Sequence, residues 1–362
     1  MRLRVLVLVI ACVAAAGIGV GVSRWQSDGR PAADTAGDAR ASRPPERVGY
    51  TLTEVTLPDG VGGISTTAAL DEDRVLAGTG AGNVYSIDFS KGPTAARELL
   101  TTLPGEVRSI EVSADGRSIA VLSRGDEVGK DTLRVMNPSG GAATDFVVDG
   151  IQGRGALSPD GRLFVHGSFD LTVLNLVTGK TEVLRRPPPT KDQSLTGYED
   201  WAVTEDGLVR AASEQGVDTW DASDGKRIGG TISCGCDIYR VSLNEPGNLA
   251  GIATAGGHAV VLDLTSGRVV AEKTITDGGV INSSAVLGDG QRAVAAAAGV
   301  VVWGVKGRRT LWNHTFPDYL ASEVHAIPNS ESFLINTVED PAKAPSDQTA
   351  FDTKWWLAKP AS

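Results

Sequence analysis

Short apolar segments alternate with turn-forming residues along most of the chain, and no window shows a sustained helical period. Apolar runs of this length, bounded by Gly, Asp, Asn, Ser or Pro, predict β-strands joined by hairpins. The pattern returns about every 43 residues, and each copy places a tight acidic or glycine-containing turn between two strands. The clearest copies are SADGRSIAVL from Ser113, LSPDGRLFVHG from Leu157, VTEDGLVRAAS from Val203, SLNEPGNLAGIA from Ser242 and LGDGQRAVAAA from Leu287.

Four strands per copy and this period predict an all-β fold, a β-propeller, whose blades measure roughly 40 to 45 residues. Residues 49–362 have room for about seven blades of four antiparallel strands. The last copy supplies three strands, whereas the alternating run from Tyr50 to Leu57 has no copy of its own. We therefore predict that residues 50–57 pair with residues 351–357 and close the ring, which removes two exposed strand edges.

Several of these residues resemble the WD-repeat-like group of β-propellers. The matches are the S-x-D-G turns and the pair Trp220–Asp221, with Trp303–Gly304 as a half match. The segments Asp221–Lys226 and Asp263–Arg268 are similar to blades of quinoprotein-like propellers. The resemblance spans residues 50–362, and it implies that binding takes place on the face that carries the long loops.

The amino-terminal segment has its own pattern. Arg2 and Arg4 precede an apolar run of 18 residues, which as a helix would span about 27 Å and could just cross a membrane. The position of the arginines predicts a cytoplasmic start and a propeller outside. We divide the chain into a signal anchor (1–25), a polar linker (26–48) and the propeller (49–362). Cleavage of the leader as a signal peptide, which would release a secreted protein, is the alternative, and a lipoprotein at Cys12 is a third.

Net charge, cysteines, histidines and the absence of catalytic motifs limit the classes of function that the sequence supports. The net charge of −10 argues against electrostatic capture of nucleic acid. Cys234 and Cys236 flank a glycine, and an extracytoplasmic location permits a disulfide between them, although free thiols are the alternative. The four histidines are not at metal-site spacing, so no metal and no cofactor are expected. Neither a G-x-S-x-G elbow nor a Walker phosphate loop is present, and the repeating Asp-Gly pairs are interpreted as structural turns.

Candidate binding residues come from the starts of the inner strands and from the interruptions of the repeat. Long loops are expected at residues 123–132, 185–201 and 339–349, on the face where binding usually evolves. Either a partner contact or a plain insertion explains each loop. The predicted ligand-contacting residues are Arg108, Arg154, Tyr198, Trp201, Arg240 and Asn282, with Glu323 beside them at the channel mouth. Packing of Trp201 in its blade, and salt bridges of the arginines to neighbouring acids, are the structural alternatives.

The sequence thus predicts a membrane-tethered, outward-facing, monomeric seven-bladed propeller. We expect it to bind a protein, a peptide or a cell-envelope polymer without catalysing a reaction. A propeller enzyme with lactonase-like or quinone-dependent activity, and an assembly scaffold for a membrane complex, are the alternative functions.

Overall fold

The computed structural model describes residues 48–90, 95–149, 154–186, 197–244, 246–288, 290–343 and 352–361. They belong to one compact unit, Glu46–Ser362, whereas the other unit, Met1–Pro45, lies outside the described residues, as does almost the whole predicted leader and linker. The described residues form strands and turns without an α-helix. Among them there is no helical segment with the length and apolarity that a membrane span requires.

Twenty-seven strands alternate with short turns, as the apolar pattern predicts. The strands are β1 (Tyr50–Val55), β2 (Ile64–Ala69), β3 (Arg74–Thr79), β4 (Asn83–Asp88), β5 (Ala96–Thr102), β6 (Val107–Val112), β7 (Ile119–Arg124), β8 (Lys130–Met136), β9 (Ala143–Asp149), β10 (Gly155–Leu157), β11 (Leu163–Gly167), β12 (Leu171–Asn175), β13 (Thr181–Leu184), β14 (Asp200–Val203), β15 (Leu208–Ser213), β16 (Gly216–Asp221), β17 (Ile238–Leu243), β18 (Leu249–Thr254), β19 (His258–Asp263), β20 (Arg268–Thr274), β21 (Ser283–Leu287), β22 (Arg292–Ala296), β23 (Gly299–Gly304), β24 (Thr310–Thr315), β25 (Tyr319–Ala326), β26 (Phe333–Glu339) and β27 (Thr353–Pro360).

These strands form seven antiparallel sheets, the blades of a propeller. Blades 1, 2 and 3 consist of β2–β5, β6–β9 and β10–β13, and blades 4, 5 and 6 of β14–β16, β17–β20 and β21–β24. Blade 7 combines β25, β26 and β27 from the end of the described chain with β1 from its beginning. The first strand of each blade, from β2 to β25, is called its inner strand below because it lines a central channel.

The pairing of β1 with β27 joins the two ends of the described chain. Tyr50 is opposite Pro360 and Val55 is opposite Trp355, so the paired segment is Trp355–Pro360. The pairing is displaced toward the carboxyl end relative to the predicted partner, residues 351–357, whose first residue lies outside the described part. The two adjacent tryptophans point to opposite faces of β27, since Trp355 and Trp356 pack against different core clusters.

Blade 4 departs from the predicted four strands, because it has only three. An irregular segment from Ala222 to Asp237 takes the place of a fourth strand. It touches β16 only through isolated bridges, Val217 to Ile232 and Trp220 to Arg227. Gly229 adopts a positive φ of 69° between these two bridges, so the backbone turns where a regular strand would continue.

The acidic turns that join the first and second strands are held by their own side chains. In the turn from Ser158 the hydroxyl donates to Asp160 at 2.7 Å and accepts the backbone N–H groups of Arg162 and Leu163. Ser113 and Asp115 make the matching contact at 2.7 Å. These bonds satisfy backbone groups that the strands leave unpaired, which explains why the Asp-Gly pairs recur.

Most of the core lies between neighbouring blades. One apolar cluster, for example, combines Val165 and Leu171 of blade 3 with Trp201, Val209 and Trp220 of blade 4. The second strands are rich in small residues because blades approach each other closely there. At Gly251 in β18 an added Cβ would come within 2.9 Å of the backbone of Ala285 in the next blade.

Candidate functional site

A channel with a cavity volume of about 730 Å³ runs between the inner strands. Because side chains alternate along a strand, every second residue of an inner strand faces this channel. Counting back from the turn that ends each inner strand gives two rings of seven residues, all of which line the cavity. The upper ring is Thr66, Ser109, Arg154, Asp200, Arg240, Ser283 and Glu323, and the lower ring is Ala68, Glu111, Ala156, Ala202, Ser242, Ala285 and His325.

Glu323 is the centre of a charged cluster in the upper ring. Arg154 from blade 3 lies 2.9 Å from one of its carboxylate oxygens, and Arg240 from blade 5 lies 3.0 Å from the other. Nε2 of His325 is 3.2 Å from the carboxylate. Burial alone would raise the pKa of Glu323, but the hydrogen bond to His325 and the two guanidinium charges outweigh burial and hold the pKa well below its usual range. Glu323 is therefore ionised at pH 7.

The remaining ionisable groups of the rings are desolvated. Burial, assisted by the charge of Arg154, lowers the pKa of His325, so its imidazole is neutral at pH 7. Burial raises the pKa of Asp200, whose carboxylate accepts the backbone N–H groups of Trp201 and Leu243. Burial also raises the pKa of Glu111 to about 7, against the lowering effect of a hydrogen bond from Ser109 and of Arg154.

The mouth face is the end of the propeller where the inner strands begin. Four of the seven inner strands carry a register shift there, which places an extra residue at the rim of the channel. These residues are Ser65, Arg108, Tyr239 and Ser322. The same face exposes large apolar side chains, since Val128 is fully exposed and Phe169 53% exposed in loops, and Tyr239 of β17 is 46% exposed. Val280 is exposed in the loop before β21.

Two of the six predicted ligand-contacting residues, Arg154 and Arg240, meet in the upper ring with Glu323, as the strand-start register predicts. The other two polar candidates are not members of the rings, although Arg108 lines the same cavity. Arg108 is the extra residue of its shifted strand and pairs with the buried Asp131 at 2.9 Å. Asn282 precedes β21 and donates its side-chain amide to the carbonyl of Ala321 in blade 7.

The aromatic candidates Tyr198 and Trp201 have structural partners inside the protein. Both side chains are buried. Trp201 donates its indole N–H to the carbonyl of Val165 at 3.1 Å, and the Tyr198 hydroxyl donates to Asp218 at 2.7 Å. Burial and the neighbouring Asp218 raise the pKa of Tyr198. Packing, the structural alternative, thus accounts for both residues, and ligand contact by any of the six residues stays a prediction.

Glu111, Asp200 and His325 were not predicted as site residues, although the sequence contains a signal for them. Each lies two or four residues before the turn that ends its inner strand, so the repeat itself fixes which residues face the channel. Counting from the strand start misplaces Glu111 and His325, because their strands shift register at that end. The turn is the better reference point.

The predicted long loops are only partly visible in the described residues. The loop between β7 and β8 is described in full and carries the exposed Val128. Residues 187–196 of the second loop and residues 344–351 of the third lie outside the described part. Within the described residues no group of three or more His, Cys, Asp or Glu side chains is arranged to hold a metal ion.

Cys234 and Cys236 form a disulfide with a Cα–Cα distance of 5.2 Å. Gly235 between them adopts a positive φ of 68°, which shortens the span to one that a disulfide can bridge. Both cysteines pack beside the core cluster formed by Val217, Ile238 and Val241. The disulfide therefore lies in the segment that replaces the fourth strand of blade 4.

Comparison with known proteins relates this fold to one class of propeller. No protein-family model matches the sequence, and no curated protein matches it. Among solved structures the fold is similar to the WD40 β-propeller domain of Doa1, with a TM-score of 0.60 and 13% sequence identity. The match covers 86% of this chain and 97% of that chain. The chain therefore has the fold of a seven-bladed, WD40-type β-propeller.

Proposed function

We propose that this protein is a binding module that captures a protein, a peptide or a cell-surface polymer on the mouth face of its propeller. The observation that carries the proposal is the set of exposed apolar side chains that four blades place on the face of the charged channel mouth. Aromatic residues are enriched at protein interfaces, and loops on a rigid scaffold often carry binding residues. Val128, Phe169 and Val280 lie in loops of the mouth face, and Tyr239 lies at the register shift of β17.

The test uses a photo-reactive amino acid placed at single positions of the full chain in its native cells. A crosslinker at Phe169 or Tyr239 should form a discrete adduct with one partner. The matched control is Val177, which is exposed in the turn between β12 and β13 on the opposite face. Equal adducts from both faces, or none from the mouth face, would contradict the proposed surface.

Non-enzymatic binding is preferred to catalysis because Arg154, Arg240 and Glu323 are already engaged with one another. The alternative of a lactonase-like or quinone-dependent enzyme is tested directly. Turnover of a lactone panel by the purified chain, or stoichiometric binding of calcium or quinone, would replace the binding proposal. The scaffold alternative differs in requiring the anchor, so removal of residues 1–25 should abolish its action but leave a soluble binder functional.

The tether is a second part of the proposal. The apolar run after Arg4 supports an uncleaved anchor with the propeller outside the cytoplasm, and cleavage followed by secretion is the competing outcome. Membrane fractionation followed by protease treatment of intact cells distinguishes the two. An anchored protein stays with the membrane at its full length and loses its propeller to the external protease.

We also propose that the β1–β27 pair closes the ring. Tyr50 supports this role, because its buried ring packs within 5.2 Å of both Trp312 and Phe333, measured between ring centroids. Replacing Tyr50 by alanine should cost about 3–5 kcal/mol of unfolding free energy, as other buried aromatic truncations do. Denaturant unfolding measures this loss, and a change below about 1 kcal/mol would show that closure contributes little.

A further inference from the structure

The lower ring leaves open space in the channel below the charged residues of the upper ring. Five of its seven positions are alanine or serine, and only Glu111 and His325 extend a longer polar side chain. The cavity volume of about 730 Å³ lies within the range of natural ligand sites, which is roughly 300 to 1,000 Å³. A flexible side chain from a bound partner could therefore pass the upper ring and reach Glu111.

The charges of the two rings are not balanced. Three carboxylates, those of Glu111, Asp200 and Glu323, face the guanidinium groups of Arg154 and Arg240, while His325 is neutral. Both guanidinium groups form their ion pairs with Glu323. Within the described part of the chain neither Glu111 nor Asp200 forms an ion pair. Their hydrogen bonds come from neutral donors, which are the Ser109 hydroxyl and backbone N–H groups.

We infer that the channel receives a positively charged side chain, a lysine ammonium or an arginine guanidinium of a polypeptide partner, and that Glu111 is its counter-ion. The inference rests on the proposed function, because it names what the partner inserts at the mouth face. An anion would meet Arg154 and Arg240 already paired, and it would approach Glu111 and Asp200 with like charge. When Glu111 is ionised the rings carry one negative charge in excess, which a cation balances.

The protonation of Glu111 gives the inference a measurable signature. Its pKa of about 7 means that the free protein carries a proton there for part of the time near neutral pH. The groups that face it are Arg154 and Asp200, with Glu323 and His325 also in the rings. A bound cation favours the ionised carboxylate and lowers the pKa of Glu111. Affinity should therefore rise as pH rises through about 7, by up to about tenfold per unit.

The test is isothermal titration calorimetry of the full chain with capped pentapeptides that carry one arginine among glycines. The matched probe replaces arginine by citrulline, which is neutral and nearly isosteric. We expect the arginine peptide to bind at least tenfold more tightly than the citrulline peptide and more tightly at pH 8 than at pH 6. L-arginine amide should bind more weakly than the peptide, and equal binding would contradict a polypeptide partner.

Two variants distinguish binding inside the channel from a general effect of negative charge at its mouth. Glu111→Gln should lose at least tenfold in affinity for the arginine peptide and should lose its pH dependence. Glu199→Gln removes the same charge from an exposed position at the mouth, and it should change the affinity less than twofold. Thermal unfolding verifies that Glu111→Gln is folded, since removing a desolvated carboxyl should raise its melting temperature at pH 8.

The inference and the proposed function fail in different ways. Equal binding of the arginine and citrulline peptides, or unchanged binding by Glu111→Gln, would overturn the cation site. Mouth-face crosslinks from Phe169 and Tyr239 would still support the binding module in that case. Absence of those crosslinks would instead remove the polypeptide partner on which the inference rests.

Discussion

The two faces of the propeller are made differently. On the turn face, where the first strand of each blade joins the second, short hydrogen-bonded turns repeat with nearly the same chemistry, as at Ser113 and Ser158. On the mouth face, four inner strands shift register, loops vary in length and apolar side chains are exposed. Repetition serves blade formation, whereas the departures from the repeat lie on the face that we propose binds a partner.

The largest expected effect is on partner affinity at the mouth face. The double variant Phe169→Ala, Tyr239→Ala should weaken binding of the crosslinked partner about 100-fold, because exposed aromatic residues supply a disproportionate share of interface energy. Titration of the purified partner measures this change. The control Val177→Ser removes an even more exposed apolar residue from the turn face, and an equal loss there would erase the distinction between the faces.

A smaller effect on stability is expected at the centre of the upper ring. Glu323→Gln leaves Arg154 and Arg240 without their shared carboxylate and should cost about 1–2 kcal/mol of unfolding free energy at pH 7. The pKa of Glu323 is lowered by folding, so its contribution is complete above its ordinary value of 4.5 and declines as pH falls below it.

Denaturant unfolding of wild type and Glu323→Gln measures this dependence. A range from about pH 3 to about pH 8 spans the ordinary pKa values of carboxyl groups. The stability difference between wild type and Glu323→Gln should shrink at acidic pH. A difference that stays constant across the range would show that the carboxylate charge contributes nothing.

The smallest effect belongs to the turn face. Ser158→Ala removes the hydroxyl that accepts the backbone N–H groups of Arg162 and Leu163, and it should cost about 1 kcal/mol of unfolding free energy. Partner affinity should be unchanged, because the turn is at the opposite end of the channel. Weaker binding by this variant at a temperature where it is fully folded would mean that the two faces are coupled.

The sequence predicts the blades well because the turns between strands have a recognisable local sequence. Ser113, Ser158 and the glycines after them mark hairpins by local chemistry that needs no distant partner. The missing fourth strand of blade 4 was not predicted, because the repeat implies four strands per blade, whereas the segment from Ala222 to Asp237 is rich in glycine, serine and aspartate and makes only isolated bridges. Whether such a segment pairs fully depends on contacts with its neighbours.

The candidate site was predicted only in part for a related reason. Arg154 and Arg240 lie in the upper ring, at the positions to which counting from the strand starts leads, whereas Arg108 pairs with Asp131 because a register shift redirects it. A shift of one residue moves a side chain to the other face of the strand, and nothing in the local sequence fixes it. For Trp201 the sequence allows packing beside ligand contact, and the hydrogen bonds of Trp201 and Tyr198 to Val165 and Asp218 lie within the protein.

The sequence by itself determined the period, the turn chemistry and the number of blades, because these depend on contacts between residues that are close along the chain. Only the tertiary structure decided which charges meet. Arg154, Arg240 and Glu323 come from three different blades, and their encounter at 2.9 and 3.0 Å depends on the ring that brings distant inner strands around one channel. The open position beside Glu111 exists for the same reason, since the small residues around it come from five other blades.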